Sequence, residues 1–393
     1  MTHRDHADPA SELCAKSGLR TANDKLVDSL VHDIYPRWAR HGIDNRNGGF
    51  YEALGQDGLA LPHPRRARVH ARQIYAFAQA PDFGWRGDAA GIVGRGIAYF
   101  TARYLRSDGL FHTLTANDGS VLDERALLYD QAFALLGYAA AAKALDARGE
   151  FEKRALTLRS AIDARLSTPD SSFLSESAGG PIRESNPHMH LLEACLAWAD
   201  IGNDAGWAAW VRTLVDTAVL HFIRTDSGAL GECYTPAWQP CPGLAGRVIE
   251  PGHQFEWAWL LLRCEHRYPA PLRETALRLL SIGEQHGVLR GVAINQLLDD
   301  MTVADANARF WPQTERLKAA LLAVELTGEP QYWSMAHEAA MSLFPFLDTP
   351  LPGLWFDRRS PSGQFIDSPA PASTLYHLVG AIAALNAALH PTA

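Results

Sequence analysis

The sequence predicts an all-α protein in which twelve helices form six helical hairpins. Amphipathic helical periodicity recurs along the chain, and only short extended pieces lie between the helices. Every second helix starts with polar or ionisable residues, and these starts recur about every 60 residues, the length of one helical hairpin. Six such hairpins can close into an (α/α)6 barrel or stack as an open solenoid. In the barrel, the N-terminal ends of the even-numbered helices would line one pocket.

The first strong helical period begins near Asn23, a residue type that can cap a helix. Apolar residues from Leu26 to Trp38 then lie on one stripe of that helix. Residues 1–20 are polar and charged, so they are predicted to form a flexible leader. No linker divides the remainder, so residues 21–393 are predicted to form a single barrel domain.

Prolines, glycines and capping residues bound the other eleven helices. They are predicted at about 65–80, 88–105, 124–144, 150–166, 187–200, 205–224, 251–268, 271–286, from 311, from 330, and 371–389. Short β-hairpins are predicted at 48–58 and 355–366, an extended piece at 110–114, and loops at 167–186, 226–250 and 347–370. The hairpins and long loops are expected at the pocket end of the barrel.

Composition excludes several classes of protein. The 393 residues are 47% hydrophobic and carry a net charge of −8 with both signs interspersed, which indicates neither disorder nor nucleic-acid binding. No apolar run is long enough for a membrane span, and the N-terminus lacks the apolar core of a signal peptide. The five cysteines show no CxxC spacing, which argues against a disulfide scaffold or a structural zinc site and favours a reducing cytoplasm.

Polar groups interrupt the apolar starts of all six even-numbered helices. Burying such a group is costly unless it is paired, so a ring of them argues for a shared polar cavity. The six segments are 68–75, 128–133, 186–194, 250–259, 309–315 and 372–378.

The segment 250–259 is central to the interpretation. Pro251 and Gly252 mark a helix start, where the missing N–H of proline costs nothing. His253 and Glu256 follow, three residues apart and therefore on one face of the helix. Taken alone, the pair is equally compatible with a buried histidine satisfied by a glutamate and with an acid/base pair.

Together the segments resemble the N-acylglucosamine 2-epimerase family, which also contains cellobiose 2-epimerases, D-mannose isomerases and sulfoquinovose-related sugar isomerases. The resemblance rests on Met-His-Leu-Leu-Glu-Ala at 189–194, Glu-Pro-Gly-His-x-x-Glu at 250–256 and Trp-Pro-Gln-Thr-Glu at 311–315. It covers nearly the whole chain. It implies a closed (α/α)6 barrel and an enzyme that moves a proton next to a sugar carbonyl without a metal or other cofactor.

The resemblance also implies roles for single positions. His253 and His377 correspond to two catalytic histidines, with Glu256 as the glutamate that orients His253. The implied substrate-binding positions are Arg72, His190, Trp311 and Glu315.

The chemistry of sugar isomerisation needs such groups. A base must lie within ~3 Å of the weakly acidic proton beside the carbonyl, and an imidazole suits because its pKa lies near working pH. We expect His377 to be this base, and His253 with Glu256 to open the ring and move protons on oxygen; the reverse assignment is the alternative. Arg72 would stabilise the developing enediolate.

Four further residues are candidates for substrate binding that also have a structural interpretation. His188 points to a different side of the helix from His190, so packing is the expected role beside possible substrate contact. Glu193 is expected to lie behind the residues that contact the substrate. Trp355 and Asp357 are expected on a loop that can close over the sugar. No metal site is expected, because the two histidines lack a third ligand at a metal-site spacing.

The favoured function is an isomerase that converts a free aldose to a ketose, D-mannose to D-fructose, through a cis-enediolate. A 2-epimerase for N-acylglucosamine or cellobiose is the alternative within the family. An inverting glycoside hydrolase would need two acids across the pocket, where the motifs place histidines. A non-catalytic sugar-binding protein would not need two histidines with an orienting glutamate. The expected partner is a monosaccharide, with no nucleic acid or membrane, and the protein is expected in the cytoplasm as a monomer or homodimer.

Overall fold

The computed structural model describes residues 9–390, apart from residues 178, 179, 181, 203 and 269. Helix α1 comprises Pro9–Ser29, a π-helical turn Leu30–Ile34, and Tyr35–His41. The predicted helix start near Asn23 is wrong, and residues 9–20 are helical rather than a flexible leader. Ala15 and Leu19 are buried, so the apolar stripe of α1 extends upstream of the predicted start. The rest of the predicted leader, residues 1–8, lies outside the described residues.

Eleven further helices are described in the predicted order. They are α2 Ala67–Gln79, α3 Ala89–Tyr104, α4 Leu128–Ala144, α5 Arg148–Leu166, α6 Ser185–Ile201, α7 Ala205–Thr217 with a π-helical extension Ala218–Phe222, α8 Pro251–Arg267, α9 Arg273–Gly287, α10 Phe310–Thr327, α11 Gln331–Leu347 and α12 Ser373–Leu389. Two 3₁₀ turns, Ala80–Phe83 and Gly243–Gly246, lie between them. Among the described helices, none has the length and hydrophobicity that crossing a bilayer requires.

The even-numbered helices form a closed inner ring. Helix α2 packs on α4, α4 on α6, α6 on α8, α8 on α10 and α10 on α12, and α12 packs back on α2. The odd-numbered helices cover this ring, as α9 covers α8 and α11 covers α10. Contact between the first and last inner helices excludes the open solenoid and confirms the (α/α)6 barrel.

Short strands lie at the N-terminal ends of the inner helices. They are β1 Ala53–Leu54, β2 Arg65–Arg66, β3 Leu114–Thr115, β4 Val121–Asp123, β5 Arg183–Glu184, β6 Cys233–Tyr234, β7 Val248–Ile249, β8 Val288–Leu289, β9 Val292–Ala293, β10 Gln296–Leu298, β11 Val303–Asp305, β12 Ala308–Arg309, β13 Arg358–Arg359, β14 Phe365–Ile366 and β15 Ala370–Pro371. Strands β2, β5, β7, β12 and β15 directly precede inner helices, so their sheets stand at one end of the barrel.

Two predicted hairpins have different outcomes. Strand β13 pairs with β14, which confirms the hairpin at 355–366. The hairpin at 48–58 is confirmed in part: Leu54 bridges Ala60 antiparallel across the predicted Asp57-Gly58 turn, and β1 also pairs with β15, just before the last helix. Strands β8 to β11 were not predicted, since each has only two or three residues and depends on a partner strand.

Two of the five cysteines are paired, contrary to the prediction. Cys233 and Cys241 form a disulfide whose Cα atoms lie 5.6 Å apart, whereas Cys14, Cys195 and Cys264 are free. The bond closes a short loop beside β6, at a spacing unlike the CxxC pattern. The predicted cytoplasmic location rested on an absence of disulfides. The cytoplasmic location stays a prediction, and the cysteines no longer support it.

A repeated side-chain clamp ties five inner helices to the loops before them. Four residues after the residue that caps each helix, a histidine or glutamine accepts a hydrogen bond from a backbone N–H of the preceding loop. The clamps are His70 on Phe50, Gln131 on Phe111, His188 on Phe173, Gln254 on Leu230 and Gln313 on Ala293, with N–H to acceptor separations of 2.7–3.3 Å. Because all five are buried, the clamps fix the loops that surround the pocket end.

The clamp predicts which substitutions His188 tolerates. A glutamine performs the same task in α4, α8 and α10, so His188→Gln should unfold at nearly the wild-type temperature. His188→Ala leaves the Phe173 N–H unsatisfied and creates a cavity, which should cost about 2–4 kcal/mol of the free energy of unfolding. Urea denaturation measures both values. A His188→Gln variant as unstable as His188→Ala would contradict the interchange of the two residue types.

Candidate active site

A cavity of about 380 Å³ opens at the N-terminal ends of the inner helices. Every inner helix or the residue before it contributes to its wall. The lining residues are Arg66, Arg68, Arg72, Tyr129, Asn186, His190, Glu250, His253, Glu256, Arg309, Trp311, Asp357, Arg358, Pro371, Ser373, Thr374 and His377. Seven of the predicted site residues are therefore brought together: Arg72, His190, His253, Glu256, Trp311, Asp357 and His377.

His377, in the first turn of α12, is held by a buried carboxylate. Its Nδ1 lies 2.8 Å from Glu315 Oε1, and the other oxygen of Glu315 lies 2.7 Å from Lys318 Nζ. Burial and the cations Arg72 and Lys318 lower the pKa of His377 well below its ordinary value. Because Lys318 balances the charge of Glu315, the carboxylate orients a neutral imidazole without charging it. With Nδ1–H donated to Glu315, the Nε2 lone pair is left unprotonated.

His253, at the start of α8, has a contrasting environment. Its Nδ1 lies 2.9 Å from Glu232 Oε2 and 3.7 Å from Glu250 Oε2. Burial lowers the pKa of His253, but the two carboxylates outweigh burial and raise that pKa to about 10. The imidazole is therefore a cation at neutral pH. The prediction that Glu256 orients His253 is wrong, because Glu232 and Glu250 do so.

Trp311 separates the two histidines. The centroid of its ring lies 5.3 Å from that of His253 and 5.4 Å from that of His377. Gly252 makes room for this ring, since a Cβ there would lie 2.5 Å from a Trp311 ring carbon. The cavity thus has a flat apolar face between a neutral and a charged imidazole, and such a face suits a sugar ring.

Arg72 is a buried cation without a carboxylate partner among the described residues. Its Nη2 donates to Tyr129 Oη at 2.8 Å, and its Nε has no hydrogen-bond partner in the described part of the chain. The guanidinium lies over the rings of Phe133 at 4.2 Å and Tyr376 at 5.2 Å. A buried arginine with donors to spare can stabilise an anion that forms in the cavity.

His190 and Glu256 lie in the opposite wall, and Glu193 lies behind them. His190 Nδ1 lies 3.3 Å from Glu193 Oε2 and 3.7 Å from Glu256 Oε1. Burial lowers the pKa of His190 to about 3. Burial raises the pKa of Glu193, but the His190 hydrogen bond and Lys318 outweigh it and lower that pKa to about 2. Glu193 also accepts a hydrogen bond from Tyr376 Oη.

Glu256 is a carboxyl group with free hydrogen-bonding capacity in the cavity wall. Both of its oxygens are buried and lack a hydrogen-bond partner among the described residues. Burial, and the neighbouring charge of Glu315, raise the pKa of Glu256 well above its ordinary value. A neutral carboxyl group of this kind can both donate to and accept from a sugar hydroxyl.

Comparison with known proteins agrees with this geometry. The family model for N-acylglucosamine 2-epimerase matches residues 49–381. The chain belongs to the N-acylglucosamine 2-epimerase family. Its relatives in the family are named as isomerases and epimerases, so the chain is an enzyme of that kind, and the family predicted from the sequence is confirmed.

Three relatives illustrate the range of the N-acylglucosamine 2-epimerase family. A protein of Rhizobium meliloti (strain 1021) named mannose-6-phosphate isomerase is 42% identical, over 91% of this chain and 95% of its own. The N-acylglucosamine 2-epimerase of Rattus norvegicus is 23% identical, over 86% and 84% of the two chains. A crystal structure of a D-mannose isomerase is 23% identical and shares the fold with a TM-score of 0.84, over 97% of this chain and 99% of that one.

In this member of the N-acylglucosamine 2-epimerase family, four predicted substrate-binding residues do not line the cavity. Glu315 and Glu193 lie behind the wall and position His377 and His190. His188 is fully buried, with Nδ1 2.8 Å from the Glu184 carbonyl oxygen and Nε2 engaged in the clamp. The fourth is Trp355.

Trp355 and Asp357 were predicted to lie on a loop that can close over the sugar, and the structure gives them two different positions. Trp355 is fully buried and stacks on Trp38 with ring centroids 4.9 Å apart, so it packs in the core rather than closing over a sugar. Asp357 does line the cavity, and Thr374 donates to it at 3.4 Å. Burial raises the pKa of Asp357, and Arg309 and Arg358 oppose that rise.

Several residues of the site were not predicted from the sequence, and Glu232, Lys318 and Tyr376 are three of them. Glu232 belongs to an irregular segment 21 residues before His253, so no helical spacing indicates the pair. Lys318 lies three residues after Glu315 within α10, a spacing that did signal contact on one helix face. Tyr376 directly precedes His377 in the predicted segment 372–378, but no role was assigned to it.

Potential metal-ligand atoms also meet in this site. Among the described residues, two sets of three side chains place such atoms within 4.8 Å of one another: His190, Glu193 and Glu256, and Glu256, Glu315 and His377. In both sets a carboxylate already has a partner inside the protein. Lys318 contacts Glu315, and Tyr376 donates to Glu193.

Proposed function

We propose that this protein is an aldose–ketose isomerase that interconverts D-mannose and D-fructose by acid/base catalysis with two histidines. The observation that carries the proposal is the contrast across Trp311. His377 is neutral with a free Nε2, and His253 is a cation held by two carboxylates. Environments that push two titratable groups in opposite directions assign the base and the acid.

Ring opening comes first in the proposed reaction. The pyranose ring opens when the C1 hydroxyl loses a proton and the ring oxygen gains one. His253 donates the proton to the ring oxygen, because its imidazolium is protonated across the neutral range, and it takes up the C1 hydroxyl proton as the ring opens, which restores the imidazolium. Glu256, a neutral carboxyl group with unsatisfied oxygens, receives and donates hydrogen bonds to the sugar hydroxyls as the chain opens.

Proton transfer between carbons follows. His377 Nε2 removes the proton from C2, the electron pair moves to the C1 carbonyl oxygen, and a cis-enediolate forms. Arg72 stabilises the negative oxygen with its free donors. His377 then returns the same proton to C1 on the same face while the C2 hydroxyl passes its proton to the negative oxygen on C1, which yields the 2-ketose.

The charge of His253 favours isomerisation over 2-epimerisation. An epimerase reprotonates C2 from the opposite face and needs each of two groups to act as the base in one direction of the reaction. His253, with a pKa of about 10, stays protonated and is a poor base in either direction. Epimerisation remains the second candidate, because the same cavity holds both histidines and epimerases are among the relatives.

The substrate class follows from the cavity and the relatives. A cavity of about 380 Å³ with a flat tryptophan face accommodates one monosaccharide. The names of the relatives include D-mannose isomerase and mannose-6-phosphate isomerase, which supports mannose configuration at C2. A cytoplasmic location and a monomer or homodimer complete the proposal, as predicted from the sequence.

The test is turnover in D₂O followed by NMR. The protein is incubated with mannose, N-acetylmannosamine and cellobiose, each with and without EDTA. We expect fructose from mannose, no inversion at C2 of the other two sugars, and the same rate with EDTA. C2 inversion without ketose would replace the proposal with the epimerase, and loss of activity in EDTA that Mg²⁺, Mn²⁺ or Zn²⁺ restores would contradict the metal-free mechanism.

A further inference from the structure

Two arginines meet at the mouth of the cavity. Arg309 and Arg358 lie directly opposite each other in the antiparallel β12–β13 pair. Residues opposite each other project from the same face of a sheet, and like charges in that arrangement repel. Both side chains line the catalytic cavity, and both also line an adjoining cavity of about 420 Å³. The two positive charges repel each other, and an anion beside them reduces that repulsion.

The carboxylates near this pair contact it only at long range. Asp357 interacts with both arginines, and Asp305 interacts with Arg309 across the adjoining cavity. Arg309 Nη2 is 3.4 Å from Glu250 Oε2, and that same oxygen also lies 3.7 Å from His253. Arg358 Nε is 3.8 Å from Asp357 Oδ2, and 63% of the Arg358 side chain is exposed. Neither contact is a close, bidentate arginine–carboxylate pair.

The other two arginines at the mouth provide the contrast. Arg66 lies 2.6 Å from Glu52, and Arg68 lies 3.0 Å from Asp130, which is fully buried. Their charges are matched inside the protein. Arg309 and Arg358, on the β12–β13 side, have no carboxylate partner this close among the described residues.

We propose that Arg309 and Arg358 bind the phosphate of a phosphorylated sugar, so that the enzyme accepts an aldose 6-phosphate. The proposal rests on the proposed isomerase function and specifies its substrate class. Two guanidinium forks match the oxygens of a phosphate monoester. Arg309 lies 5.3 Å from the ring of Trp311 and on the cavity rim. Since the histidines act at C1 and C2, a group held at the rim belongs to the other end of the sugar, its C6.

The test compares mannose 6-phosphate with mannose. The ratio of their kcat/KM values is measured for the wild type, Arg358→Gln, Arg309→Gln and the control Arg359→Gln. Arg359 is the next residue of β13 and faces the other way, over the Phe365 ring. We expect the ratio to fall at least about tenfold in Arg358→Gln and Arg309→Gln, the effect of losing one charged hydrogen bond, and to stay unchanged in Arg359→Gln.

A second measurement separates this proposal from the isomerase function. Inorganic phosphate should raise the Tm of the wild type and of Arg359→Gln, and raise it much less in Arg358→Gln. Turnover of mannose with an unchanged ratio in Arg358→Gln and Arg309→Gln overturns the phosphate subsite and leaves the isomerase standing. If neither sugar is converted, the isomerase proposal fails. In that case the rise in Tm on addition of phosphate tests the phosphate subsite without turnover. An equal rise in the wild type and in Arg358→Gln overturns the subsite.

Discussion

Replacing His377 with asparagine is expected to lower kcat for mannose isomerisation by about 10³-fold, because the variant lacks the base that removes the C2 proton. Asparagine keeps a polar group beside Glu315, so the inner helices should pack as before. The decisive measurement is exchange of the C2 proton with solvent. In D₂O, the variant should incorporate deuterium at C2 far more slowly than the wild type.

The control for this prediction is His32→Asn. His32 lies on α1 with 70% of its side chain exposed, where it pairs with the exposed Asp28, and its replacement should leave turnover and exchange unchanged. If His377→Asn exchanged the C2 proton at nearly the wild-type rate, His377 would not be the base. His253 would then take that role, as in the reverse assignment.

The fold was largely predictable because polar residues repeat along the sequence with the same period as the helical hairpins. Polar residues at the start of each inner helix recur about every 60 residues, and they do so because all six starts face one cavity. The start of α1 was misplaced because Leu19 is the only large side chain among Ala15, Leu19 and Ala22, which continue its buried stripe upstream of Asn23. The strands escaped prediction for another reason. Ala53 pairs with Pro371, so the information that makes it a strand lies more than 300 residues away.

The site was predictable wherever a side chain acts from an inner helix. Arg72, His190, His253, Glu256 and His377 all occupy such positions and all line the cavity. What could not be predicted is which residues pair. Helical spacing suggested Glu256 as the partner of His253, but the two side chains diverge at the helix start. His253 meets Glu232 on the preceding segment, whereas Glu256 approaches His190.

The clamp residues form a sequence pattern that predicts which positions of the inner helices correspond to one another. A histidine or glutamine recurs at the same place in five inner helices, and it marks the register of each helix without an alignment. In that register Arg72, His190, Glu256 and Glu315 each stand two residues after a clamp. Glu256 therefore corresponds to the residues that face the barrel axis, and His253 belongs to a position nearer the mouth.

Replacing Glu232, the carboxylate that holds His253, is expected to have the second large effect. Removing a carboxylate 2.9 Å from His253 should lower the pKa of that imidazole by at least about 1 from its raised value of about 10. His253 must be protonated to open the sugar ring, so activity is lost as pH rises through this pKa. In Glu232→Gln, the alkaline limb of the kcat profile should therefore move to lower pH. At a pH between the alkaline limbs of the variant and the wild type, kcat of the variant should be about tenfold below wild type for every pH unit above the variant's own limb.

Glu250→Gln is the matched comparison. Its carboxylate lies 3.7 Å from His253, so its loss should move the alkaline limb in the same direction but by less. Unfolding gives a readout that does not depend on turnover. Because its pKa is raised in the folded protein, charged His253 stabilises the fold fully below its unfolded pKa, and that contribution is lost as pH rises through about 10. In Glu232→Gln, the loss should occur at lower pH. If both the activity limb and the stability profile of Glu232→Gln coincided with those of the wild type while Glu250→Gln shifted them, Glu250 would be the group that holds the charge on His253.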